Sequence, residues 1–450
     1  MAANVRQNAV RRLLRAPQRQ RVATRAFEPL NALLEIERSL PDGAKEAMMS
    51  VDQTLLPENI VKGIDRESLL EGDVAVLLTG AFAYLTARPG ILAAALDSTL
   101  LAPVYQLAES VRFRLKEDDI TISGRLGSGG YGTVYKATIG ADQRRETVPD
   151  RRKLKELIVK KVRLSEDYAR EAGDVELYMN RRVSRAAPDA VAPFLGTLQT
   201  GSPGTNLEQR WLVWQFDGEE TLDDVLRARN FPFNLEERLF GNKLKDKDDD
   251  RKAELIVKKL LYRLMRSVSK LHSIGVCHRD IKPENILVTP KGEVKLIDLG
   301  ASVDLRNGFN YFPNFTLLDP AFAAPETYIM PESTPEPPPA PIATFLSPLL
   351  WTLNKPDRFD VYSSGLIMAK MLASRLRTNS GLEAFNSALK KADYDLKKLK
   401  ENRVSGVDWN AFDDISFSLL SQMLCKKDAR IAASSVLRHP YFLSDLVNII

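Results

Sequence analysis

The sequence has few of the residues that hold disulfide-rich or metal-dependent folds together. Its 450 residues include two cysteines, Cys277 and Cys425, and three histidines. Two cysteines cannot form a disulfide framework or a four-ligand zinc site, and three histidines argue against a histidine-rich metal centre. With 44% hydrophobic and 27% charged residues, the chain is globular rather than disordered, collagen-like or polytopic in a membrane. It is also longer than one ordinary domain of about 100–200 residues.

The N-terminal end lacks acidic residues. Residues 1–27 contain seven arginines, no lysine and no carboxylate, and the first acid is Glu28. This pattern is typical of an organelle transit peptide, although the usual serine enrichment is missing, so chloroplast and mitochondrial addresses both stay open. The alternative is a basic arm that binds acidic surfaces. Without these arginines the formal charge changes from +5 to −2, so the basic balance does not indicate nucleic-acid binding.

Long apolar runs are also missing. The segment 74–87 is uncharged for 14 residues, which is shorter than the about 20 that a spanning helix needs. After Arg88-Pro89-Gly90 the apolar character resumes up to Leu96, and 74–96 as a unit could span a bilayer if Arg88 reaches an interface. The residues therefore leave a buried helix, an interfacial segment and a membrane span open. We assign 28–117 as a linker with one candidate transmembrane helix at about 74–96.

Three segments have the composition of surface insertions. Residues 141–156 and 240–252 are dense in charge, which predicts solvated loops. Residues 331–348 contain seven of the 25 prolines, which predicts that this stretch forms neither a regular helix nor a central strand.

A glycine-rich stretch at 126–134 has the spacing G-x-G-x-x-G, which is weak evidence alone. Its flanks alternate as strands do and predict strand–turn–strand rather than the strand–turn–helix of a dinucleotide site. Such a turn can lie over nucleotide phosphates and offer backbone N–H groups to them. The residues of this stretch that would lie beside a nucleotide are Leu126, Gly127, Ser128, Gly129, Gly130, Tyr131, Gly132 and Val134.

The next apolar strand, 157–162, contains Lys160, which could reach phosphates if a carboxylate on a following helix held it. Glu176 is the preferred carboxylate, because Met179 and Val183 follow it at helical spacing. Glu171 is the alternative, but it lies close to the strand in sequence. Considered alone, Lys160 could equally be a solvated lysine at the end of a strand.

Together with the two features just described, the chain contains six motifs in a fixed order and with characteristic spacing. They are the glycine-rich stretch, Lys160, His278-Arg279-Asp280-Ile281-Lys282-Pro283-Glu284-Asn285, Asp298-Leu299-Gly300, Ala324-Pro325-Glu326 and Asp360-Val361-Tyr362-Ser363-Ser364-Gly365. In this order they resemble the eukaryotic protein kinase family. The resemblance implies an α+β bilobal fold for residues 118–443, with a β-rich N-lobe at 118–217 and a helical C-lobe at 218–443.

The same resemblance implies roles for single residues. Asp280 would orient the substrate hydroxyl, Lys160 would place the α- and β-phosphates of ATP, and Asn285 and Asp298 would hold Mg²⁺. Lys282 would neutralise the γ-phosphate, which favours serine or threonine as the acceptor.

Further positions match structural parts of the family. Gln215 and Asp217 lie in a stretch that resembles the hinge beside adenine, and Trp214 before them is either at the back of that pocket or part of the core. Glu326 would pair with Arg430, and Asp360 would brace the catalytic loop.

Two departures from the family pattern stand out. The metal motif has Leu299 where phenylalanine is commoner, and Asp319 replaces a threonine that usually contacts the catalytic residues. Asp319 could pair with Lys282.

A narrower resemblance concerns the stretch from Leu317 to Met330, the proline-rich insertion after it and the helix around Asp360. These are similar to thylakoid state-transition kinases and photosystem II core kinases. The similarity implies a chloroplast address, membrane attachment, a stromal catalytic domain and thylakoid protein substrates. No cysteine precedes Cys277, which excludes thiol switching through an N-terminal pair and favours the branch acting on photosystem II core subunits. The alternatives are a catalytically silent scaffold with this fold and a soluble kinase of the mitochondrion or cytosol.

Overall fold

The computed structural model describes residues 79–449 with short gaps. The gaps are 81, 88–89, 113–116, 129–131, 140–155, 163–166, 201–208, 245–246, 311–318, 327, 332–336 and 402–406. The arginine-rich 1–27, all of 28–78 and nearly all of the charged insertion 141–156 lie outside the described residues.

The smaller lobe is a five-stranded antiparallel sheet with one helix against it. The strands are β1 Ile120–Ser128, β2 Gly132–Ile139, β3 Glu156–Val162, β4 Phe194–Thr200 and β5 Gln209–Gln215, in the order β1-β2-β3-β5-β4. The long helix of this lobe spans Asp167–Ala186 and lies between β3 and β4 in sequence. Two strands therefore flank the glycine-rich turn, as the sequence predicts, and residues 129–131 of the turn itself lie outside the described part.

Alternation along β3 decides which way each lysine points. Leu157 and Val159 are fully buried in the apolar cluster on one face of the sheet. Ile158 and Val162 belong to the cluster on the other face, which the long helix covers. Because successive strand side chains point to opposite faces, Lys160 shares the helix-covered face. A lysine at that position can therefore meet a carboxylate from the helix.

The larger lobe is mainly helical. Numbered along the whole chain, the helices are α1 Ile91–Leu96, α2 Ala102–Arg112, α3 Asp167–Ala186, α4 Leu222–Arg227, α5 Glu236–Phe240, α6 Asp249–Ser273, α7 Ala340–Asn354, α8 Arg358–Leu372, α9 Asn379–Lys391, α10 Leu396–Glu401, α11 Asp414–Met423, α12 Ala433–Val436, α13 Pro440–Leu443 and α14 Leu446–Ile449. Short strand pairs complete it: β6 Val276–Cys277 with β9 Val303–Asp304, and β7 Ile286–Val288 with β8 Val294–Leu296.

Helices α6 and α8 form the centre of this lobe. Asp248 caps the N-terminus of helix α6, because its carboxylate accepts a hydrogen bond from the Arg251 N–H at 2.8 Å, a stabilising contact. Nearly every residue of α8 is buried, so the helix is enclosed on all sides rather than along one stripe. The predicted charged loop 240–252 is shorter than expected, because α5 ends at Phe240 and α6 already begins at Asp249.

The N-terminal segment is helical but interrupted. Residues 82–86 are helical, a break follows at Gly90 with φ +81°, and α1 begins at Ile91. A five-residue π-helical turn, Asp97–Leu101, joins α1 to α2. Between 82 and 96 the described residues therefore do not form one continuous helix, because neither Ala87 nor Gly90 is helical. Among the described residues, no helix is both long and apolar enough to cross a bilayer.

The prediction that 331–348 contains no regular helix is wrong in its second half. Helix α7 runs through Pro341 and Pro348. Pro341 lies in the first turn, where no N–H needs a partner in the helix. Pro348 removes one hydrogen bond inside the helix, and the Ser347 hydroxyl donates instead to the Thr344 carbonyl at 2.7 Å. The remaining apolar residues, including buried Ala343 and Trp351, supply the packing that outweighs the proline penalty.

Candidate active site

Three charged side chains from three elements meet between the lobes. Lys160 Nζ of β3 lies 2.7 Å from Glu176 Oε2 of α3 and 3.2 Å from Asp298 Oδ1. Glu176 is 2% exposed, whereas the alternative Glu171 is exposed on the same helix. The structure thus places Glu176, and not Glu171, at Lys160.

The electrostatics of this trio follow from two carboxylates sharing one ammonium. Burial opposes the charged form of Lys160, but Asp298 and Glu176 outweigh it and raise the pKa of Lys160 above its ordinary value. The Lys160 charge lowers the pKa of Asp298. Burial raises the pKa of Glu176 to about 7, although Lys160 opposes the shift. Asp298 is therefore the carboxylate that stays ionised most firmly.

The backbone turns sharply to aim Asp298 into the cleft. Its φ of 58° and ψ of 75° are left-handed, a conformation that non-glycine residues adopt at a cost of about 1–3 kcal/mol. The following Leu299 is 1% exposed and belongs to the main core of the larger lobe. Burial of Leu299 thus anchors the strained residue from the other side.

A second group of polar side chains lies on the loop after β6. Asn285 Nδ2 donates to Asp280 Oδ2 at 2.7 Å and to the Asp280 carbonyl at 2.9 Å. Lys282 Nζ lies 2.9 Å from the same Asp280 oxygen. Burial disfavours the Lys282 charge, but Asp280 reverses the effect and raises the pKa of Lys282. Asp280 is thus held by two donors of different charge.

The β7–β8 hairpin joins the two groups. Ile286 pairs with Leu296, and the Ile297 N–H donates to the Asn285 carbonyl at 3.0 Å. Because Asn285 directly precedes β7 and Asp298 follows β8, the hairpin sets the two side by side at its open end. Asn285 and Asp298, which belong to two separate sequence motifs, are thereby brought into one site.

Asp360, in the first turn of α8, holds the backbone of the loop that follows β6. Its carboxylate accepts the His278 and Arg279 backbone N–H groups, each at 2.8 Å, and lies 2.8 Å from His272 Nε2. Burial disfavours the charged form, but the hydrogen bonds from His272 and the His278 backbone hold the pKa of Asp360 below its ordinary value. The predicted brace is therefore present.

Comparisons with known proteins agree with this geometry. Residues 120–338 match a family model described as a protein kinase domain. The chain is 40% identical over 384 residues to serine/threonine-protein kinase STN8, chloroplastic, of Arabidopsis thaliana, covering 80% of this chain and 77% of that protein. This chain belongs to the serine/threonine protein kinase family.

Two further similarities refine the picture. Serine/threonine-protein kinase STN7, chloroplastic, of Arabidopsis thaliana is 40% identical over 382 residues, 82% of this chain and 64% of that protein. A crystal structure of an Stt7 homolog from Micromonas algae, soaked with ATP, matches with a TM-score of 0.61 and 28% identity, covering 73% of this chain and 94% of that one. The bilobal kinase fold expected from the motifs is thus confirmed.

The strands that flank the glycine-rich stretch are β1 and β2, and the predicted hinge residues lie at and just after the end of β5. A Cβ on Gly132 would lie 2.5 Å from the Lys161 carbonyl oxygen, so only glycine permits β2 to approach β3 this closely. Gln215 is the last residue of β5 and its N–H donates to the Pro193 carbonyl at 2.9 Å, while Asp217 follows two residues later. Leu126, Gly127, Ser128 and Val134 lie on β1 and β2, while Gly129, Gly130 and Tyr131 fall outside the described residues.

Several contacts of α3 were missed from the sequence. Trp214 packs edge-on against Phe194 and donates from Nε1 to Asn180 Oδ1 at 3.0 Å. Asn180 also donates to the Glu176 carbonyl, one turn back. Trp214 is therefore a core residue tied to α3. In the sequence, the i,i+4 spacing of Glu176 and Asn180 was the only sign that these two residues lie on the same face of α3.

Asp319 and Leu299, the two residues that depart from the family pattern, lie in different surroundings. Asp319 Oδ2 lies 4.0 Å from Lys282 Nζ, and its Oδ1 accepts the Ala321 N–H at 2.9 Å. Leu299 is buried in the main core of the larger lobe.

Glu326 and Arg430 form the expected pair, with Arg430 Nη1 at 2.6 Å and Nη2 at 3.1 Å from the two carboxylate oxygens.

The donor set at the cleft suits a magnesium ion. Asn285 turns its Nδ2 toward Asp280, which leaves its side-chain oxygen as the remaining ligand atom, and Asp298 offers a carboxylate. Hard oxygen donors are the ligands that Mg²⁺ prefers. Asn285 and Asp298 would hold the ion, which when bound would neutralise phosphate charge.

Proposed function

We propose that this kinase transfers phosphate from ATP to serine or threonine residues of thylakoid proteins, with photosystem II core subunits as the favoured substrates. The observation that carries the proposal is the shared cluster of Lys160, Glu176 and Asp298 beside Asp280, in a chain 40% identical to a chloroplast kinase. The N-terminal arginine-rich segment supports an organelle address, and the chloroplastic relatives favour the chloroplast.

Each residue then has a task that its geometry permits. Asp280 accepts or orients the proton of the acceptor hydroxyl, and Asn285 holds its carboxylate in place. Lys160 positions the α- and β-phosphates of ATP, and Lys282 offsets the charge that develops on the transferred group. The glycine-rich loop covers the phosphates, and the hinge at Gln215 and Asp217 receives the adenosine part.

Membrane attachment draws support from the outward face of the N-terminal helices. Large apolar side chains are exposed there at a spacing of three or four residues, namely Leu92, Leu96, Leu100, Val104 and Leu107. They continue the uncharged stretch that precedes α1. A helix face of this kind lies in a bilayer interface. Flotation with vesicles of thylakoid lipid composition tests this, and Leu100→Asp with Val104→Asp should reduce binding if the face contacts lipid.

Phosphate transfer from labelled ATP to isolated thylakoid membranes tests the activity. Asp280→Asn should abolish transfer while nucleotide binding persists, because only the group that handles the acceptor proton changes. Asp428→Asn, at a side chain that is 95% exposed, is the matched control and should leave transfer unchanged. A folded wild-type protein that binds ATP but transfers no phosphate would instead indicate a silent scaffold.

Compartment and substrates need separate measurements. Residues 1–100 fused to a fluorescent reporter should direct it to chloroplasts, and a diffuse cytosolic or a mitochondrial signal would contradict the proposed address. A phosphoproteome comparison of cells with and without the kinase should show losses on photosystem II core subunits. Losses confined to light-harvesting antenna proteins would assign the other branch.

A further inference from the structure

The helical segment before the kinase domain makes a buried ionic contact with α3. Asp97, at the start of the π-helical turn, is 7% exposed. Its two oxygens lie 3.1 Å from Nε and 3.2 Å from Nη2 of Arg185, a two-point contact. A second arginine of α3, Arg182, has its Nη1 3.5 Å from Asp97. The guanidinium of Arg185 also lies over the Tyr105 ring of α2, 5.6 Å from its centroid.

The same cluster extends to the segment that follows the metal motif. Arg182 Nε lies 3.3 Å from Asp304 Oδ2 on β9, and the Tyr178 hydroxyl donates to that oxygen at 3.0 Å. Asp304 is 1% exposed. Burial and the charge of Arg182 lower the pKa of the nearby Arg306 to about 10. Cations are thus crowded between α3 and β9, and Asp97 supplies a carboxylate from outside the kinase domain.

The arginines that Asp97 contacts belong to the helix that carries Glu176. Breaking a buried ion pair by removing one partner is strongly destabilising, because the other charge stays buried without compensation. A helix that loses this contact can recover hydration for Arg185 by swinging outward. Outward movement would separate Glu176 from Lys160. Asp97 therefore bears on whether α3 stays in the position that completes the phosphate site.

We propose that Asp97 is a positioning residue and that the segment Ile91–Arg112 is a built-in activator of the kinase, which holds α3 in its productive position through Arg185 and Arg182. The inference rests on the proposed function, in which Glu176 holds Lys160 at the phosphates of ATP. It makes the activity of the domain depend on residues that precede the motifs of the catalytic fold. Whatever displaces this segment would then lower phosphoryl transfer without touching the ATP cleft.

The test uses the full chain with three substitutions and a generic protein substrate. Asp97→Asn and Arg185→Gln should each lower kcat by roughly tenfold or more, because displacing Glu176 by about 1 Å is enough for a loss of this size. The double variant should be no worse than the single ones, because both remove the same contact. Asp97→Glu, which keeps the charge, should recover part of the rate. Amide hydrogen exchange should speed up in α3 for Asp97→Asn, whether or not a substrate is available.

Asp174→Asn is the matched control, since Asp174 lies on the same helix, is 54% exposed and pairs with Arg210 at the surface. It should leave both kcat and the exchange of α3 unchanged. An Asp97→Asn enzyme with a normal kcat and normal α3 exchange but a lower melting temperature would overturn the proposal, since its role would be stability alone. Strictly additive losses in the double variant would overturn it too. Glu176→Gln tests the proposed role of Glu176 separately from the positioning role of Asp97. A fully active Glu176→Gln variant would show that the role of Glu176 is wrong.

Discussion

Lys160 Nζ lies 2.7 Å from Glu176 Oε2, and the neighbouring Lys161 points to the opposite face of the sheet, with its Nζ 4.0 Å from the centroid of the Trp211 ring. Two adjacent lysines thus have separate surroundings. One belongs to the charged cluster of the cleft, and the other covers an aromatic side chain on the outer face.

This difference predicts unequal effects of the same substitution. Lys160→Met should lower kcat by roughly 100-fold or more, the cost of removing one charge-stabilising donor, whereas Lys161→Met should change it little. Initial rates of phosphate transfer with both purified variants measure this, with melting temperatures to show that each is folded. Equal losses in the two variants would mean that the cleft does not depend on Lys160.

The raised pKa of Glu176 predicts opposite pH trends for activity and stability. Its value of about 7 lies above the ordinary 4.5, so the folded protein holds a proton there that the unfolded chain has already released. The stabilising effect of this group is complete below about 4.5 and is lost as the pH rises to about 7. The ion pair with Lys160 requires the ionised form, so activity should instead rise over the upper part of that interval.

Thermal unfolding of the nucleotide-free wild type and Glu176→Gln in the same buffers measures the effect. The stability of the wild type relative to the variant should fall between about pH 4.5 and pH 7. A relative stability that increases with pH would show that Lys160 lowers the pKa of Glu176 instead.

The close approach of α3 to β3 depends on Gly173. A Cβ there would lie 2.6 Å from Val162 Cγ1, and Val162 is buried and branched at Cβ, so it cannot move aside freely. Gly173→Ala should therefore push α3 outward and lower kcat roughly 10- to 100-fold, the scale of about 1 Å of misplacement. Glycine to alanine in an unhindered helix would instead stabilise the protein by about 0.5–1 kcal/mol.

A second substitution makes this prediction specific. Adding Val162→Ala to Gly173→Ala removes the methyl group in the way and should restore much of the lost rate, while Val162→Ala alone serves as the control. A double variant as slow as Gly173→Ala would show that the steric contact is not the cause.

The sequence carries the chemistry of the cleft better than the contacts that hold it in position. Residue types such as Asp280, Asn285 and Asp298 are dictated by phosphoryl transfer, and alternation along β3 places Lys160 on the correct face. The contact of Asp97 with Arg185 joins residues 88 positions apart, and no periodicity reports such a pair. Pro348 predicts a helix break from local propensity alone, which does not include the packing of α7.

The buried pair of Glu326 and Arg430 provides the last prediction. The Arg430 side chain is fully buried and also donates from Nε to the Cys425 carbonyl at 3.0 Å and from Nη1 to the Arg358 carbonyl at 2.9 Å. Glu326→Ala should lower the free energy of unfolding by about 3–5 kcal/mol, because the guanidinium stays buried without its counter-charge. Asp393→Asn breaks the exposed pair with Lys426 and should cost less than about 1 kcal/mol. Denaturant titration of both variants decides the matter, and equal losses would mean that burial does not control the strength of this pair.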